Sequence, residues 1–245
     1  MRVIHSAIGD GDILVATCSD GAGSAKLSHE GAEQACAALV GEVCDYLASH
    51  SLATVSQVIV EEWFLQVRLS LHDLAGNLDV SSRDLACTLL LAIVGPTTAI
   101  FAHLGDGAIV VREKNSDTLQ AVFWPDSGEY ANMTYFITEA ESLMHLRVSV
   151  RQGTIIEDVA LFTDGIQAIA LQYHNKGVHE PFFRPLFSTL RRSLGRPASE
   201  IAAALESFLS SDRVNERTDD DKTLVLASRA KDAASAAPAS ERGGV

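Results

Sequence analysis

The chain has 245 residues, of which 47% are hydrophobic and 21% charged, which suits one sizeable domain with a filled core. Its formal net charge of −13 makes it a poor generic binder of nucleic acid or of anionic membranes, so we expect neither as a partner. No uncharged apolar run approaches the length of a membrane span, and we see no signal peptide. The four cysteines form no C-x-x-C pair, which favours reduced thiols and a cytoplasmic location.

The N-terminal part is predicted to contain two strands followed by two helices. A strand at Arg2–His5 and a buried, partly β-branched strand at Ile13–Ala16 are joined by a glycine-rich turn, which indicates a hairpin. Apolar residues recur at helical spacing from Ser28 to Leu47 and again from about Val55 to Leu74. Gly76-Asn77 is expected to end the second helix.

The middle of the chain is rich in predicted strands. They cover residues 85–94, 97–104, 109–112, 119–124, 135–138, 146–150 and 159–162. Consecutive strands with short turns indicate antiparallel sheets rather than βαβ units. A helical but interrupted segment from Ile166 to about Ser193, a helix capped by Ser199 and a last strand at Leu224–Ala227 follow. We expect one domain over residues 1–228 and a disordered tail over residues 229–245, which lacks periodicity.

Acidic residues lie at the ends of four of these apolar strands. They occur in Asp20-Gly21, in Gly105-Asp106-Gly107, in Asp164-Gly165 and in the run Asp219–Asp221. Each pattern alone is most simply a turn. Together, however, four carboxylates can converge at one edge of a sheet, where like charges would repel unless a cation lay between them. Carboxylate and carbonyl oxygens suit Mg²⁺ or Mn²⁺, so the pattern indicates a divalent-metal site.

The same motifs, in this order, resemble those of the metal-dependent type-2C serine/threonine protein phosphatases. The resemblance rests on segments 19–23, 104–107, 162–166 and 220–223, and it spans about Val3 to Ala227. It implies an α+β fold in which two antiparallel β-sheets are flanked by helices, a four-layer αββα sandwich. It also implies hydrolysis of phosphoserine and phosphothreonine in protein substrates that a cognate kinase would phosphorylate.

The resemblance also assigns site residues by position. Asp20 resembles the carboxylate that bridges two Mg²⁺ or Mn²⁺ ions, and Gly21 would supply a backbone carbonyl. Asp164 and Asp220 would be the other protein ligands, while Asp106 matches an aspartate that serves a third, looser ion. In such a site a metal-bound water is the nucleophile, so no catalytic side chain is expected.

The sequence departs from the family pattern in two places. The family's first motif, an arginine with an acidic pair, would fall at or before Met1, and Arg2 is not followed by that motif's asparagine or aspartate. Ala168 stands where many members carry a further aspartate for the third ion. If the first motif is encoded upstream, we expect a longer chain to be more active than this one.

Two other interpretations remain open at this point. One is a catalytically impaired type-2C-like domain that acts as a partner-binding or regulatory module, an interpretation favoured by the absent first motif. The other is an unrelated hydrolase or binding module in which the Asp-Gly pairs are only turns. Metal binding would separate this last interpretation from the first two.

Overall fold

The fold is a two-sheet sandwich, seen in a computed structural model that describes residues 1–5, 9–125 and 134–230. The described strands are β1 (Arg2–His5), β2 (Asp12–Cys18), β3 (Leu89–Val94), β4 (Thr98–Leu104), β5 (Ala108–Glu113), β6 (Gln120–Ala121), β7 (Arg147–Gln152), β8 (Ile156–Phe162), β9 (Leu171–Gln172), β10 (Gly177–Val178) and β11 (Leu224–Ser228). One sheet has the order β1-β2-β3-β4-β7 and the other the order β11-β8-β5-β6, while β9 and β10 form a separate hairpin. All of these pairings are antiparallel, as predicted.

Helices cover the outer face of each sheet. They are α1 (Ser28–Leu47), α2 (Gln57–Leu78), α3 (Gln167–Ala170), α4 (Glu180–Arg192), α5 (Ala198–Leu209) and α6 (Asp212–Asn215), together with 3₁₀ turns at Leu52–Thr54, Ser82–Leu85, Ser142–His145 and Asp164–Ile166. None of the helices in the described part of the chain is long and apolar enough to cross a membrane.

Three apolar clusters divide the core into layers. Side chains of α1 and α2, among them Leu39 and Phe64, pack on the first sheet. Phe183 and Phe187 of α4 pack on the second sheet, and Phe101 belongs to a third cluster between the two sheets. Burial of such large side chains supplies most of the favourable free energy of folding. The layers confirm the predicted α+β sandwich.

The strand register brings the acidic motifs to one edge. Cys18 at the end of β2 pairs with Leu90, and Leu104 at the end of β4 pairs with Leu89. Phe162 at the end of β8 pairs with Ala108 on one side and with Leu224 on the other. Two residues after the ends of β2, β4 and β8 come Asp20, Asp106 and Asp164, and four residues before the start of β11 comes Asp220.

Several predicted elements were wrong in extent or kind. The segment Tyr135–Thr138 is not a strand. Among the described residues its one long-range backbone hydrogen bond runs from Ile137 N to Cys87 O, and Ile137 is buried against the helix-side core instead. The strand predicted at 119–124 is reduced to β6, and the interrupted middle of segment 166–193 is the β9–β10 hairpin. Residues 231–245 lie outside the described residues, so the tail and the domain boundary at 228 stay predictions.

The second helix passes the glycine that was expected to end it. It continues through Gly76 to Leu78, and Asp79 takes the left-handed conformation at its C-terminus with φ 56°. An aspartate tolerates this conformation because its short polar side chain can bond locally. The left-handed residue that ends the helix is therefore Asp79, three residues after the predicted Gly76.

Candidate metal centre

The four predicted aspartates interact electrostatically at this edge. Burial and then the carboxyl groups of Asp164, Asp220 and Asp106 together raise the pKa of Asp20 to about 7. Asp164 also has a raised pKa, caused by burial and then by the charges of Asp106 and Asp220. Carboxylates held near one another resist full ionisation, and the action of Asp106 and Asp220 on both Asp20 and Asp164 places the four groups in one environment.

One oxygen of this group lacks a partner. Asp164 Oδ1 is buried and accepts no hydrogen bond from any described residue. An ionised carboxylate oxygen in that position is costly unless a proton or a cation compensates it. The unpartnered oxygen and the surrounding carboxylates therefore fit a hard divalent cation, which prefers oxygen donors.

The side chains do not by themselves form a closed coordination shell. Within residues 1–5, 9–125 and 134–230, no three His, Cys, Asp or Glu side chains converge closely enough to enclose an ion as they stand. Instead, a hydrogen-bonding interaction between the carboxyl groups of Asp20 and Asp164 accompanies the raised pKa of Asp20. The raised pKa means that the folded protein retains a proton on Asp20 to a higher pH than the unfolded chain does.

Asp20 is held in place by the segment that precedes β3. Its backbone N–H donates to Thr88 Oγ1 at 3.0 Å, and its carbonyl accepts from Thr88 N at 2.8 Å. Ser19 Oγ donates to the Thr88 carbonyl at 2.6 Å. Gly21 follows in an isolated bridge with Cys87, and a Cβ on Gly21 would lie 2.6 Å from Ser28 Cβ. Only glycine fits there, so the turn can pack against the start of α1.

The acidic loop before β11 packs directly on the Asp164 turn. A Cβ on Gly165 would lie 2.1 Å from the carbonyl oxygen of Asp221, so the two backbones meet where only a glycine fits. Thr163 reinforces the contact, since Thr223 N donates to its hydroxyl at 3.1 Å. Of the three consecutive aspartates, Asp220 is the one whose charge raises the pKa of Asp20 and of Asp164. This supports the predicted choice of Asp220 within the run.

The Asp106 loop is held by hydrogen bonds from three directions. Thr134 Oγ1 donates to the Asp106 carboxylate, and Gln167 Nε2 donates to the Asp106 carbonyl. His103 Nε2 donates to the carbonyl of Gly105 at 2.9 Å. Gly105 itself has φ +106° and lies against the Thr88 methyl group. The loop is therefore tied both to the turn after β8 and to the segment that holds Asp20.

His103 is a buried and neutral histidine rather than a metal ligand. Burial, followed by the nearby charge of Arg147, lowers the pKa of His103 to about 3. Arg147 donates to the other ring nitrogen, Nδ1, at 3.0 Å, which leaves Nε2 as the proton-bearing atom. The ring therefore serves to fix Gly105.

The aromatic side chain of Tyr173 lies near the carboxylates and packs against Trp124. The ring of Tyr173, 50% exposed at the tip of the β9–β10 hairpin, meets the ring of Trp124 edge to face with centroids 5.6 Å apart. Its hydroxyl donates to Gln167 Oε1 at 2.5 Å. Burial and then the charge of Asp164 raise the pKa of Tyr173. The phenol therefore lies close enough to Asp164 to interact with its charge.

Sequence reasoning named the acidic residues but missed the side chains that hold them. Thr88, Thr134, Gln167 and Tyr173 were not identified. A polar residue inside the apolar run before β3 was the one available signal for Thr88, since a buried hydroxyl needs a partner. The hydrogen bonds of the others depend on tertiary contacts that no local pattern encodes.

The fold and its acidic edge define a type-2C phosphatase domain, and comparison with known proteins agrees. The family model "Protein phosphatase 2C" matches residues 3–210, and the chain belongs to this family of protein serine/threonine phosphatases. It is 37% identical over 218 residues to serine/threonine-protein phosphatase 3 of Escherichia coli strain K12, a match that covers 88% of this chain and 83% of that protein.

Solved structures share the fold at low sequence identity. The serine/threonine phosphatase Stp1 of Staphylococcus aureus matches 94% of this chain and 88% of its own, with 14% identity and a TM-score of 0.56. The catalytic domain of the phosphatase PstP, solved with two manganese ions, matches 94% of this chain and 91% of its own, with 14% identity and a TM-score of 0.53. These likenesses support the αββα sandwich.

Proposed function

We propose that this protein hydrolyses phosphoserine and phosphothreonine in protein substrates with two Mg²⁺ or Mn²⁺ ions held at the acidic edge. Asp20 would bridge the ions, with the Gly21 carbonyl, Asp164 and Asp220 as the other protein ligands. The observation that carries the proposal is the buried, unpartnered Oδ1 of Asp164, which lies among carboxyl groups whose charges raise the pKa of Asp20 and of Asp164.

Divalent ions would resolve the repulsion at this edge. Ionised carboxylates a few ångströms apart repel one another by kcal/mol even at an effective dielectric constant of about 20. Ions bound between them would compensate the charges of Asp20 and Asp164 and give Asp164 Oδ1 a partner. When bound, such ions supply a water of lowered pKa for in-line attack at phosphorus.

Neighbouring residues would keep the proposed metal ligands in place. Thr88 fixes the backbone of Asp20, and Gly165 seats the Asp220 loop against the turn of Asp164. Neither of the two fully buried thiols competes for the role of nucleophile, because burial raises the pKa of Cys87 to about 12 and that of Cys18 higher still. Both thiols stay protonated near neutral pH, and only the thiolate is a strong nucleophile.

Asp106 would serve a third and weaker ion. Its carboxylate already accepts a hydrogen bond from Thr134, and Ala168, exposed on α3, offers no further oxygen ligand. A cation with fewer charged ligands binds less tightly. We therefore place the third ion below the other two in affinity.

The test measures metal binding and hydrolysis on the same protein. Isothermal titration with Mn²⁺ and turnover of a phosphothreonine peptide should both be lost in Asp220→Asn and retained in Asp219→Asn. The second variant is a matched control, because Asp219 precedes Asp220 directly and does not contribute to the raised pKa values of the cluster. Equal turnover in both variants would contradict the assignment.

The same experiment distinguishes the alternative function. Tight Mn²⁺ binding without turnover of any phosphopeptide would indicate the catalytically impaired, partner-binding module instead. Phosphoprotein substrates follow from the family, while a cognate kinase and a cytoplasmic location are further parts of the proposal. Assays against phosphorylated proteins of the source cell would identify the substrate.

A further inference from the structure

A buried glutamine links two of the acidic strand ends. Gln167, 8% exposed, lies three residues after Asp164 at the start of α3. Its Nε2 donates to the backbone carbonyl of Asp106, and its Oε1 accepts the hydroxyl of Tyr173 at 2.5 Å. The side chain therefore joins the turn after β8 to the loop between β4 and β5.

The Asp106 carbonyl and the Tyr173 hydroxyl lie at the two ends of the Gln167 amide. A carbonyl oxygen can only accept, so Nε2 faces Asp106, and Oε1 then accepts from the Tyr173 hydroxyl. Without that hydroxyl, Oε1 loses the partner it has among the described residues, in a side chain that is only 8% exposed. The Tyr173 hydroxyl thus anchors the amide in the orientation in which Gln167 holds the Asp106 loop.

We propose that Tyr173 is a positioning residue that acts through Gln167 to hold Asp106 at a fixed separation from Asp164. The inference rests on the proposed metal centre. It adds a residue of the β9–β10 hairpin, outside the acidic motifs, to those that keep the centre in shape. Because Asp106 acts electrostatically on both Asp20 and Asp164, a shift of its loop changes the field at the whole cluster.

The hydroxyl can be removed with little risk to the fold. Tyr173 is half exposed, and its ring contact with Trp124 is retained in Tyr173→Phe. Tyr46→Phe is a matched control, since the Tyr46 hydroxyl also makes one side-chain hydrogen bond, to Thr54 Oγ1 at 3.0 Å, in a region near the start of α2 rather than at the acidic edge. Both variants delete one phenolic hydroxyl.

The first measurement needs no metal. Hydrogen–deuterium exchange of metal-free protein should be faster in the peptide containing residues 104–108 of Tyr173→Phe and unchanged there in Tyr46→Phe. The second is Mn²⁺ titration, in which Tyr173→Phe should bind roughly two- to tenfold more weakly, the range expected for one net hydrogen bond. KM for the phosphopeptide should stay unchanged, since the proposed role involves no substrate contact.

A double-mutant cycle tests whether the effect passes through Gln167. Gln167→Met removes both polar ends of the side chain at similar volume, so Tyr173→Phe should have no further effect on Mn²⁺ affinity in that background. Additive effects of the two substitutions would overturn the inference. So would unchanged exchange at residues 104–108 in Tyr173→Phe, or a raised KM with unchanged Mn²⁺ dependence, which would make Tyr173 a substrate contact.

These outcomes are separable from failure of the proposed function. Wild-type protein that neither binds Mn²⁺ nor hydrolyses phosphopeptides would contradict the metal centre and with it the positioning role. Wild-type protein that binds Mn²⁺ with the same affinity as Tyr173→Phe would overturn the positioning role alone.

Discussion

Thr88 is hydrogen-bonded to Asp20 on both sides of the aspartate's backbone. The N–H of Asp20 donates to Thr88 Oγ1 at 3.0 Å, and the N–H of Thr88 donates to the Asp20 carbonyl at 2.8 Å. The methyl group of the same threonine lies against Gly105, next to Asp106. One buried side chain therefore connects the two strand ends of the first sheet that carry acidic residues.

This relationship predicts the effect of Thr88→Val. The substitution keeps the shape and the contact with Gly105 but leaves the N–H of Asp20 without its acceptor, which costs about 1–3 kcal/mol when the group is buried. We expect a loss of that size in urea unfolding and weaker Mn²⁺ binding by titration. Thr98→Val on β4 is the control, because the Thr98 side chain makes no hydrogen bond to any described residue. Equal effects of both substitutions would contradict this role.

Gly165→Ala should damage the acidic edge more than the rest of the fold. The new methyl group would lie 2.1 Å from the Asp221 carbonyl oxygen, so the loop that carries Asp220 has to move. We expect destabilisation of about 1–3 kcal/mol, as for other overpacked sites, together with loss of Mn²⁺-dependent turnover. Gly76→Ala in α2 meets no atom within 4 Å and should stabilise the protein by up to about 1 kcal/mol with turnover unchanged.

The raised pKa of Asp20 predicts a pH dependence of stability in the absence of metal. In the unfolded chain Asp20 loses its proton near pH 3.8, whereas in the folded protein it keeps the proton until about pH 7. The folded state therefore binds more protons over this interval, and the free energy of unfolding falls as the pH rises through it. Asp164 acts in the same direction.

The measurement is the melting temperature between pH 4 and pH 8 in EDTA, compared between wild type and Asp20→Asn. The wild type should lose more stability than the variant as the pH rises, because the variant lacks the titrating carboxyl group. Saturating Mn²⁺ should remove this difference in slope by compensating the ionised carboxylates. A wild-type slope no steeper than that of Asp20→Asn would argue against the carboxylate cluster.

At the opposite end of the second sheet, Asp158 should matter for stability and not for metal. It is 2% exposed and accepts Arg112 Nε at 2.7 Å and Arg191 Nη1 at 2.5 Å. Asp158→Asn leaves two guanidinium groups without their counter-charge, and breaking a buried pair in this way costs about 3–5 kcal/mol.

Glu113→Gln provides the comparison, since the pair of Glu113 with Arg151 is partly exposed and should contribute at most about 1 kcal/mol. Chemical denaturation would measure both changes, and Mn²⁺ affinity should be unaltered in each. A shift in the Mn²⁺ affinity of folded Asp158→Asn would show unexpected coupling between the two ends of the sheet.

The parts of the site that could be predicted from sequence are those that follow a local pattern. Asp20, Asp106 and Asp164 each come directly after a short apolar strand, so their place at a sheet edge follows from the period and length of the run before them. The order of the motifs then suggested the family. No such pattern marks Gln167 or Tyr173, whose partners are set by the packing of the β9–β10 hairpin.

Strand predictions failed where burial did not come with a pairing partner. Tyr135–Thr138 has the β-branched and aromatic composition of a strand, yet it does not join a sheet. Its Ile137 is buried in the helix-side core and makes one backbone hydrogen bond to Cys87. The composition of a segment indicates how well its side chains suit a half-buried surface. Whether the segment forms the backbone hydrogen bonds of a sheet depends on the strands that the fold places next to it. Which segments obtain such neighbours is decided by tertiary structure.

The most direct test of the central claim is a crystal structure of the protein grown with Mn²⁺, with anomalous scattering recorded at the manganese edge. The account predicts two strong peaks about 4 Å apart at the edge between the sheets. Asp20 should contact both peaks, and Asp164 and Asp220 one or the other. Peaks elsewhere, or peaks at this edge that Asp20 and Asp164 do not contact, would contradict it.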